Sequence, residues 1–155
     1  MPRARRARSM SKTRHSININ RPVEDVFALL TDCELTGSWF PAEMDQRWTS
    51  PSPHGLGSTR HAVVTMFGRR TENDAVVTVW EPNRRAVLEG VATDPPWEIG
   101  VDFAPTDGGT RVSVTNEMHF TGPMRLLGPL FLRLYGRSWD RGLANAKAKM
   151  EGGKL

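Results

Sequence analysis

The sequence predicts an α+β domain in which an antiparallel β-sheet precedes a long C-terminal helix. Three observations support this fold class. Between residues 59 and 120, strand-like runs are separated by short turn-forming segments, which is typical of an antiparallel meander. From Met124 to Ala146, apolar residues recur every three or four positions, as on one face of an amphipathic helix. The length of 155 residues suits one domain with a sizeable core and is short for two.

Short elements are predicted before the meander. Residues 15–20 alternate between polar and apolar and favour a strand with one buried face. Pro22 ends this strand and suits the first turn of a helix over 23–30. Residues 34–40 predict a second, shorter helix, and residues 49–58 have the composition of a loop.

Five strand-like runs form the predicted meander, at 59–67, 75–80, 86–91, 97–103 and 110–120. In the last two runs, alternate residues share one face that we expect to be covered, and these are Trp97, Ile99, Val101 and Phe103, then Val112, Val114, Asn116 and Met118. The segments 59–67 and 75–91 mix polar and apolar residues on both faces, so their orientation stays open.

The C-terminal segment predicts one long helix. Its apolar stripe consists of Met124, Leu127, Phe131, Tyr135, Trp139, Leu143 and Ala146. Pro129 is expected to begin the main helix or to kink it. Gly136 and Gly142 each weaken the helix by roughly 1 kcal/mol relative to alanine, and the glycines at 152–153 end it.

Basic residues are concentrated at the N-terminus. Residues 1–15 carry six cations and no acid, whereas the rest of the chain holds 15 basic and 17 acidic residues. We therefore expect residues 1–12 to form a basic, disordered tail, 13–151 one domain, and 152–155 the end. A true start at Met10, an organelle transit peptide and an anchor to anionic lipid or nucleic acid are open interpretations of the tail. The folded part shows no basic face with interleaved aromatics, which argues against specific nucleic-acid binding.

Cysteine and histidine usage argues against a metal centre or a disulfide. Cys33 is the only cysteine, so an internal disulfide is excluded and a cytoplasmic location is the simplest expectation. The four histidines show no metal-ligand spacing, and no dinucleotide fingerprint, nucleophile elbow or P-loop is present. We predict no metal and no cofactor. The most apolar stretch, 126–135, is too short to cross a bilayer and contains Arg133, so no transmembrane segment is predicted.

Local motifs in their order along the chain resemble the START/Bet v 1-like superfamily (SRPBCC), specifically its bacterial polyketide cyclase/dehydrase and lipid-transport group. The matching segments are Ile17–Phe27 with Leu30–Asp32, Ser38–Pro41, Trp80–Arg85, Asp107–Val112 and Leu143–Glu151. The resemblance covers about residues 13–151. It implies a helix-grip fold, in which a curved antiparallel sheet wraps around the last helix, two short helices follow the first strand, and a tunnel lies between sheet and helix.

Suitable side chains for such a tunnel are present in the sequence. The predicted ligand-binding residues are Trp39, His61, Trp97, Ile99, Val101, Val114, Asn116, Met118, Phe131, Tyr135 and Trp139. Apolar walls with a few polar groups are typical of ligand pockets, and Asn116, Tyr135 and the indole N–H of Trp139 would supply the polar groups. The strand that contains His61 has no clear alternation, so this side chain is equally compatible with pointing into the tunnel or away from it. In the alternative interpretation, the aromatic residues simply fill a core.

Three functions are compatible with this pattern. The favoured one is binding or transport of a small hydrophobic ligand, such as a lipid, a polyketide-like compound or another apolar metabolite. The alternative is a polyketide cyclase/dehydratase-like enzyme that orients a reactive chain in the same cavity, with help from His61, Tyr135 or Asn116. No catalytic residue is identified, because no convergent acid/base pair is evident. The third is an interaction protein whose pocket is filled, and a homodimer could form through a sheet edge or through 126–135.

Overall fold

A computed structural model describes residues 10–152 and contains seven strands, two α-helices and one 3₁₀-helix. The strands are β1 (Met10–Ile19), β2 (Glu43–Trp48), β3 (Thr59–Met66), β4 (Arg69–Glu81), β5 (Arg85–Val91), β6 (Trp97–Thr106) and β7 (Gly109–His119). Helix α1 is Val23–Thr31, the 3₁₀-helix is Cys33–Ser38, and helix α2 is Met124–Glu151.

All seven strands form one antiparallel sheet in the order β1-β7-β6-β5-β4-β3-β2. The strands from β2 to β7 are neighbours in sequence order, whereas β1 pairs with β7 and thus joins the two ends of the described chain. Helix α2 packs across the concave face of the curled sheet and is anchored on β1, where Lys147 Nζ donates to the carbonyl oxygen of Asn18 over 2.7 Å. The predicted α+β class and helix-grip arrangement are confirmed.

Three strands differ clearly from the sequence prediction, and one of them is β4, which begins at Arg69 and not at residue 75. Strand β1 begins at Met10 and not at His15, so residues 10–12, which we placed in the basic tail, pair with β7. The rest of that predicted tail, residues 1–9, lies outside the described residues. Strand β2 was not predicted, because only Met44 and Trp48 mark its inward face with apolar side chains among polar neighbours.

The parity predicted for β6 and β7 is confirmed by burial and register. Phe103 pairs with Val112, and both are buried in the core. Val101 pairs with Val114 two residues further along, on the same face of the sheet. Asp102 lies on the opposite face and forms an ion pair with Arg85 at 3.3 Å, as expected for a residue that points away from the helix.

Helix α2 starts at Met124 and includes Pro129 within its first two turns. Its C-terminal half follows the predicted stripe, and Trp139, Leu143 and Ala146 are buried in the core. The prediction that the N-terminal part of the stripe is buried is wrong, because Met124 and Leu127 are exposed. There the sheet-facing surface begins at Gly128 and Leu132, which are buried.

Glycines in α2 allow the helix to approach its neighbours closely. A Cβ atom added at Gly128 would lie 2.6 Å from the ring of Phe120, and one at Gly142 would lie 3.2 Å from Phe40. At Gly136 the nearest atom is Cε1 of His15, at 3.1 Å. These glycines lower the helix propensity of α2, but they allow the helix to pack closely against the rest of the fold.

Helix α1 closes one end of the space between sheet and α2. Pro22 precedes its first residue, and Glu24 and Asp25 lie in the first turn, where negative charge is favourable. Phe27 on its buried face packs edge-on against Trp80 at 5.1 Å and Phe103 at 5.0 Å between ring centroids. None of the helices within residues 10–152 is long and apolar enough to cross a membrane.

Candidate ligand-binding site

A cavity of about 530 Å³ lies between the inner face of the sheet and helix α2. Its volume is within the range of roughly 300–1,000 Å³ that small-molecule sites occupy. Most of its wall is apolar or aromatic, with residues from every strand except β1. The wall includes Trp39, Phe40, Met44, Trp48, Ala62, Val64, Met66, Val77, Trp80, Ala86, Leu88, Trp97, Ile99, Val101, Met118, Phe131, Tyr135 and Trp139.

The cavity reaches the surface beside the β3–β4 turn. Phe67 from this turn and Met124 from the start of α2 both line the cavity, and both are exposed. Behind them, Phe131 packs edge-on against Phe67 at 5.8 Å between ring centroids. The mouth therefore has aromatic rings on both the sheet side and the helix side, and the exposed Arg69 and Thr71 of β4 also line the cavity there.

Nine of the eleven residues predicted to bind a ligand lie on the cavity wall. They are Trp39, Trp97, Ile99, Val101, Asn116, Met118, Phe131, Tyr135 and Trp139. Their contact with a ligand stays a prediction, but the structure does bring them together around one space.

Val114 does not reach the cavity. Its side chain is 1% exposed and belongs to the core cluster that also contains Val112 and Leu143. Helix α2 packs directly against the sheet around Val114. The inward-facing side chain of Val114 therefore lies in the packed core and not beside the cavity. Strand parity alone could not separate a residue beneath the helix from one beside the cavity.

His61 is placed on the other face of the sheet. The inward positions of β3 are taken by Arg60, Ala62 and Val64, all of which line the cavity. His61 instead bonds to two carboxylates of β4, with Nδ1 at 2.8 Å from Asp74 and Nε2 at 3.1 Å from Glu72. The suggested role of His61 as a cavity acid or base is therefore wrong.

The two carboxylates raise the pKa of His61, chiefly through the hydrogen bond with Asp74 and then through that with Glu72. We expect a pKa above the ordinary histidine value of about 6.5 in an NMR titration of the imidazole protons. Because the folded pKa is raised, the stabilising contribution is fully present below the unfolded pKa and is lost as the pH rises through the folded pKa.

Replacing Asp74 with asparagine should move the His61 midpoint down toward the ordinary value. Asp107→Asn, a change of the same kind in the exposed β6–β7 turn, serves as the control and should leave the midpoint in place. An unchanged midpoint in Asp74→Asn would contradict the ion pair as the cause of the shift.

Asn116 is held at the cavity wall by a hydrogen-bonded chain that reaches the surface. Its Nδ2 donates to Thr13 Oγ1 at 3.3 Å, and the Thr13 hydroxyl lies 3.0 Å from Nε2 of His15. Nδ1 of His15 lies 2.8 Å from the exposed carboxylate of Asp140 on α2. Within residues 10–152, Asn116 Oδ1 is buried with no hydrogen-bond partner, so this acceptor is free for a bound molecule.

Aromatic side chains surround the deep end of the cavity. Trp139 packs against Trp39 at 5.8 Å and against Phe40 at 5.1 Å between ring centroids. In the described part of the chain, the indole N–H groups of Trp39 and Trp139 are buried and make no well-aligned hydrogen bond. Burial raises the pKa of Tyr135, which keeps its phenol protonated and able to donate a hydrogen bond.

Arg60 is a functional candidate that was not predicted from the sequence. It lines the cavity, yet its side chain is among the few buried polar ones, at 5% exposure. The alternation Arg60, Ala62, Val64, Met66 would have placed it inward. That signal was masked because Val63, on the opposite face, makes the run apolar on both sides.

Cys33 supplies a small, uncharged group to the same wall. Burial raises the pKa of its thiol to about 12, so the side chain is neutral at physiological pH and a poor nucleophile. We therefore assign Cys33 a packing role in the wall.

Comparison with known proteins identifies the arrangement. The sequence profile of the family described as polyketide cyclase / dehydrase and lipid transport matches residues 10–151. An uncharacterized protein of Mycobacterium tuberculosis (strain ATCC 25618 / H37Rv) is 26% identical over 138 residues, which cover 86% of this chain and 81% of that protein.

Solved structures share the fold at low sequence identity. The protein TTHA0849 from Thermus thermophilus is similar with a TM-score of 0.78 and 20% identity, over 94% of this chain and 100% of that one. The di-domain ARO/CYC StfQ from the steffimycin biosynthetic pathway is similar with a TM-score of 0.77 and 14% identity, over 98% of this chain and 55% of that one. At these identities the likeness concerns the fold alone.

Proposed function

Because the chain belongs to the polyketide cyclase/dehydrase and lipid-transport family, we propose that it binds and carries a small hydrophobic molecule in the cavity between sheet and α2. The observation that carries the proposal is the wall itself. Aromatic and aliphatic side chains from six strands and two helices enclose about 530 Å³, and only a few polar groups face inward. The exposed apolar side chains of Phe67 and Met124 at the mouth support entry of such a molecule from the β3–β4 side.

Binding of the neutral apolar dye N-phenylnaphthylamine tests this proposal. We expect one dye per chain, with a dissociation constant on the order of 1–10 µM, measured by fluorescence titration. Ala62 is buried on the cavity wall, so Ala62→Trp should occupy the dye's space and weaken binding by about tenfold or more.

Ala104→Trp is the matched control, because Ala104 is an exposed residue of β6 and the same bulk added there leaves the cavity unchanged. Ala86→Phe fills the cavity from β5 and replaces Ala62→Trp if circular dichroism shows that variant unfolded. Equal dye binding by the wild type and by a folded cavity-filled variant would refute the proposal.

An enzyme acting on a molecule in the same cavity is the second candidate. The observation that favours it is the hydrogen-bonded chain from Asp140 through His15 and Thr13 to Asn116, which connects a surface carboxylate with the cavity wall. Such a chain holds the Asn116 amide in one orientation, as an enzyme that positions a reactive molecule requires. Mass spectrometry of a co-purified compound before and after incubation distinguishes the two, because a carrier returns it unchanged.

A homodimer and a cytoplasmic location stay predictions. The stretch 126–135 is a suitable dimer surface, since Leu126 and Leu130 are exposed large apolar residues.

A further inference from the structure

Arg60 is a buried cation whose hydrogen bonds are incomplete. A guanidinium group has five N–H donors. In Arg60, Nη1 donates to the carbonyl oxygen of Asn73 at 3.3 Å and to its Oδ1 at 2.7 Å. Across residues 10–152, Nε finds no partner although it is fully buried. Both acceptors that the side chain does have are neutral.

No carboxylate in the described part of the chain lies within 4.0 Å of the Arg60 guanidinium. Asp74 is adjacent to Asn73 in sequence, but it lies on the outer face and pairs with His61 at 2.8 Å. Glu98 and Glu117 also line the cavity, but neither lies within 4.0 Å of Arg60, and Glu117 pairs with Lys12 at 3.6 Å.

The ionisable groups nearest to Arg60 inside the fold do not neutralise it. These are the thiol of Cys33 and the phenol of Tyr135, and burial raises the pKa of both. Asp74 acts on Arg60 only from the outer face, and the wall residues Glu98 and Glu117 do not contact it, so the described residues give the guanidinium no direct counter-ion. A buried cation without a counter-ion is costly, and an anion bound beside it would offset that cost.

Trp97 holds the guanidinium in place from one side. The Cζ atom of Arg60 lies 5.5 Å from the centroid of the Trp97 ring, a cation–π geometry that leaves the edge of the guanidinium free. Gly90 provides room for the indole, because a Cβ atom there would lie 2.6 Å from Trp97 Nε1. The position of Arg60 is thus fixed by Asn73 and Trp97 before any ligand binds.

We propose that the hydrophobic ligand carries one acidic group, a carboxylate or a comparable oxyanion, which binds to Arg60 inside the cavity and accepts a second hydrogen bond from Tyr135. This inference rests on the proposed function and adds the chemical class of the ligand. Arg60 lies six residues, or roughly 20 Å of extended strand, from Met66 near the mouth. The acidic group of the ligand therefore lies beside Arg60, away from the mouth, and its apolar part extends toward Phe67 and Phe131.

A matched pair of dyes tests the inference. Anilinonaphthalene sulfonate has the carbon skeleton of N-phenylnaphthylamine and one added sulfonate, so apolar burial alone favours the neutral dye. We expect the wild-type protein to bind the sulfonate at least tenfold more tightly than the neutral dye, because the ion pair forms in a site shielded from water. Arg60→Met should weaken sulfonate binding at least tenfold and so remove the preference for the sulfonate over the neutral dye.

Arg84→Gln removes one positive charge from the exposed β4–β5 turn and is the control, with both dyes expected to bind as in the wild type. Arg60→Lys keeps the positive charge and should retain part of the preference for the sulfonate over the neutral dye. This variant replaces Arg60→Met in the test if Arg60→Met does not fold. A wild-type protein that binds the neutral dye as tightly as the sulfonate overturns the inference, as does a folded Arg60→Met with unchanged preference. Failure of both dyes to bind the wild type instead contradicts the proposed function itself.

Discussion

Replacing Trp139 with alanine should lower the free energy of unfolding by about 3–5 kcal/mol. The indole is 7% exposed and lies where α2 meets the short segment after the 3₁₀-helix. It contacts the rings of Trp39, Phe40 and Tyr135, with centroid distances of 5.8, 5.1 and 6.4 Å. Alanine would remove these contacts and merge the resulting space with the cavity, so the neighbouring rings could not close the gap.

Urea unfolding followed by circular dichroism measures this loss. Leu130→Ala is the control on the same helix, because Leu130 is 55% exposed and its truncation should change stability by less than about 0.5 kcal/mol. Since Trp139 also lines the cavity, the variant should hold N-phenylnaphthylamine more weakly. A loss below about 1 kcal/mol for Trp139→Ala would contradict the role of Trp139 in joining α2 to the rest of the core.

Gly109→Ala should destabilise the protein by about 3 kcal/mol, although it adds a single methyl group. A Cβ atom at this position would overlap the carbonyl oxygen of Ile19 and lie 3.0 Å from Cα of Asn20. Both obstacles are backbone atoms at the end of β1, so relief requires movement of the strand and not of a flexible side chain. The neighbouring Thr110 bonds through Oγ1 to the carbonyl oxygen of Arg21 at 2.9 Å, and that bond would move too.

Gly100→Ala is the matched comparison and should raise the free energy of unfolding, whereas Gly109→Ala should lower it. A Cβ atom at Gly100 on β6 meets nothing closer than Val87 Cγ2 at 3.7 Å, which is ordinary van der Waals contact. Alanine in a strand loses less backbone entropy than glycine on folding, so a gain of about 0.5 kcal/mol is expected. Both variants can be compared in one set of urea unfolding curves, and equal stabilities would show that close approach at Gly109 is unimportant.

The fold was predictable from the sequence wherever one face of an element is buried and the other is not. Strands β6 and β7 satisfy this condition, and the C-terminal half of α2 does as well, with Trp139 and Leu143 on its buried face. Strand β3 does not, because Ala62 and Val63 put apolar side chains on both faces. Its orientation therefore became visible only through pairing with β4, which turns His61 outward and Arg60 inward.

The cavity was harder to predict than the sheet that surrounds it. An inward strand position means either core or cavity wall, and the choice depends on how closely α2 approaches. Val114 lies in the packed core, whereas Val101, its partner across β6 and β7, reaches the cavity. The glycines of α2 determine how closely this helix approaches its neighbours. From the sequence alone, however, a glycine in a helical pattern indicates only a lower helix propensity, because the aromatic ring that packs against it is not known.

The pairing of β1 with β7 has a consequence for synthesis. Strand β1 is synthesised about 100 residues before its partner strand β7, since Met10 pairs with His119 and Ile19 with Thr110. Helix α2 is then fixed back onto β1, with Asn20 N donating to Glu151 at 2.8 Å. Contacts so distant in sequence slow folding and leave apolar surface uncovered in the meantime. On the ribosome, the wall that α2 supplies to the cavity is missing until residues 124–151 have emerged, so the cavity stays open to water until this helix packs on the sheet.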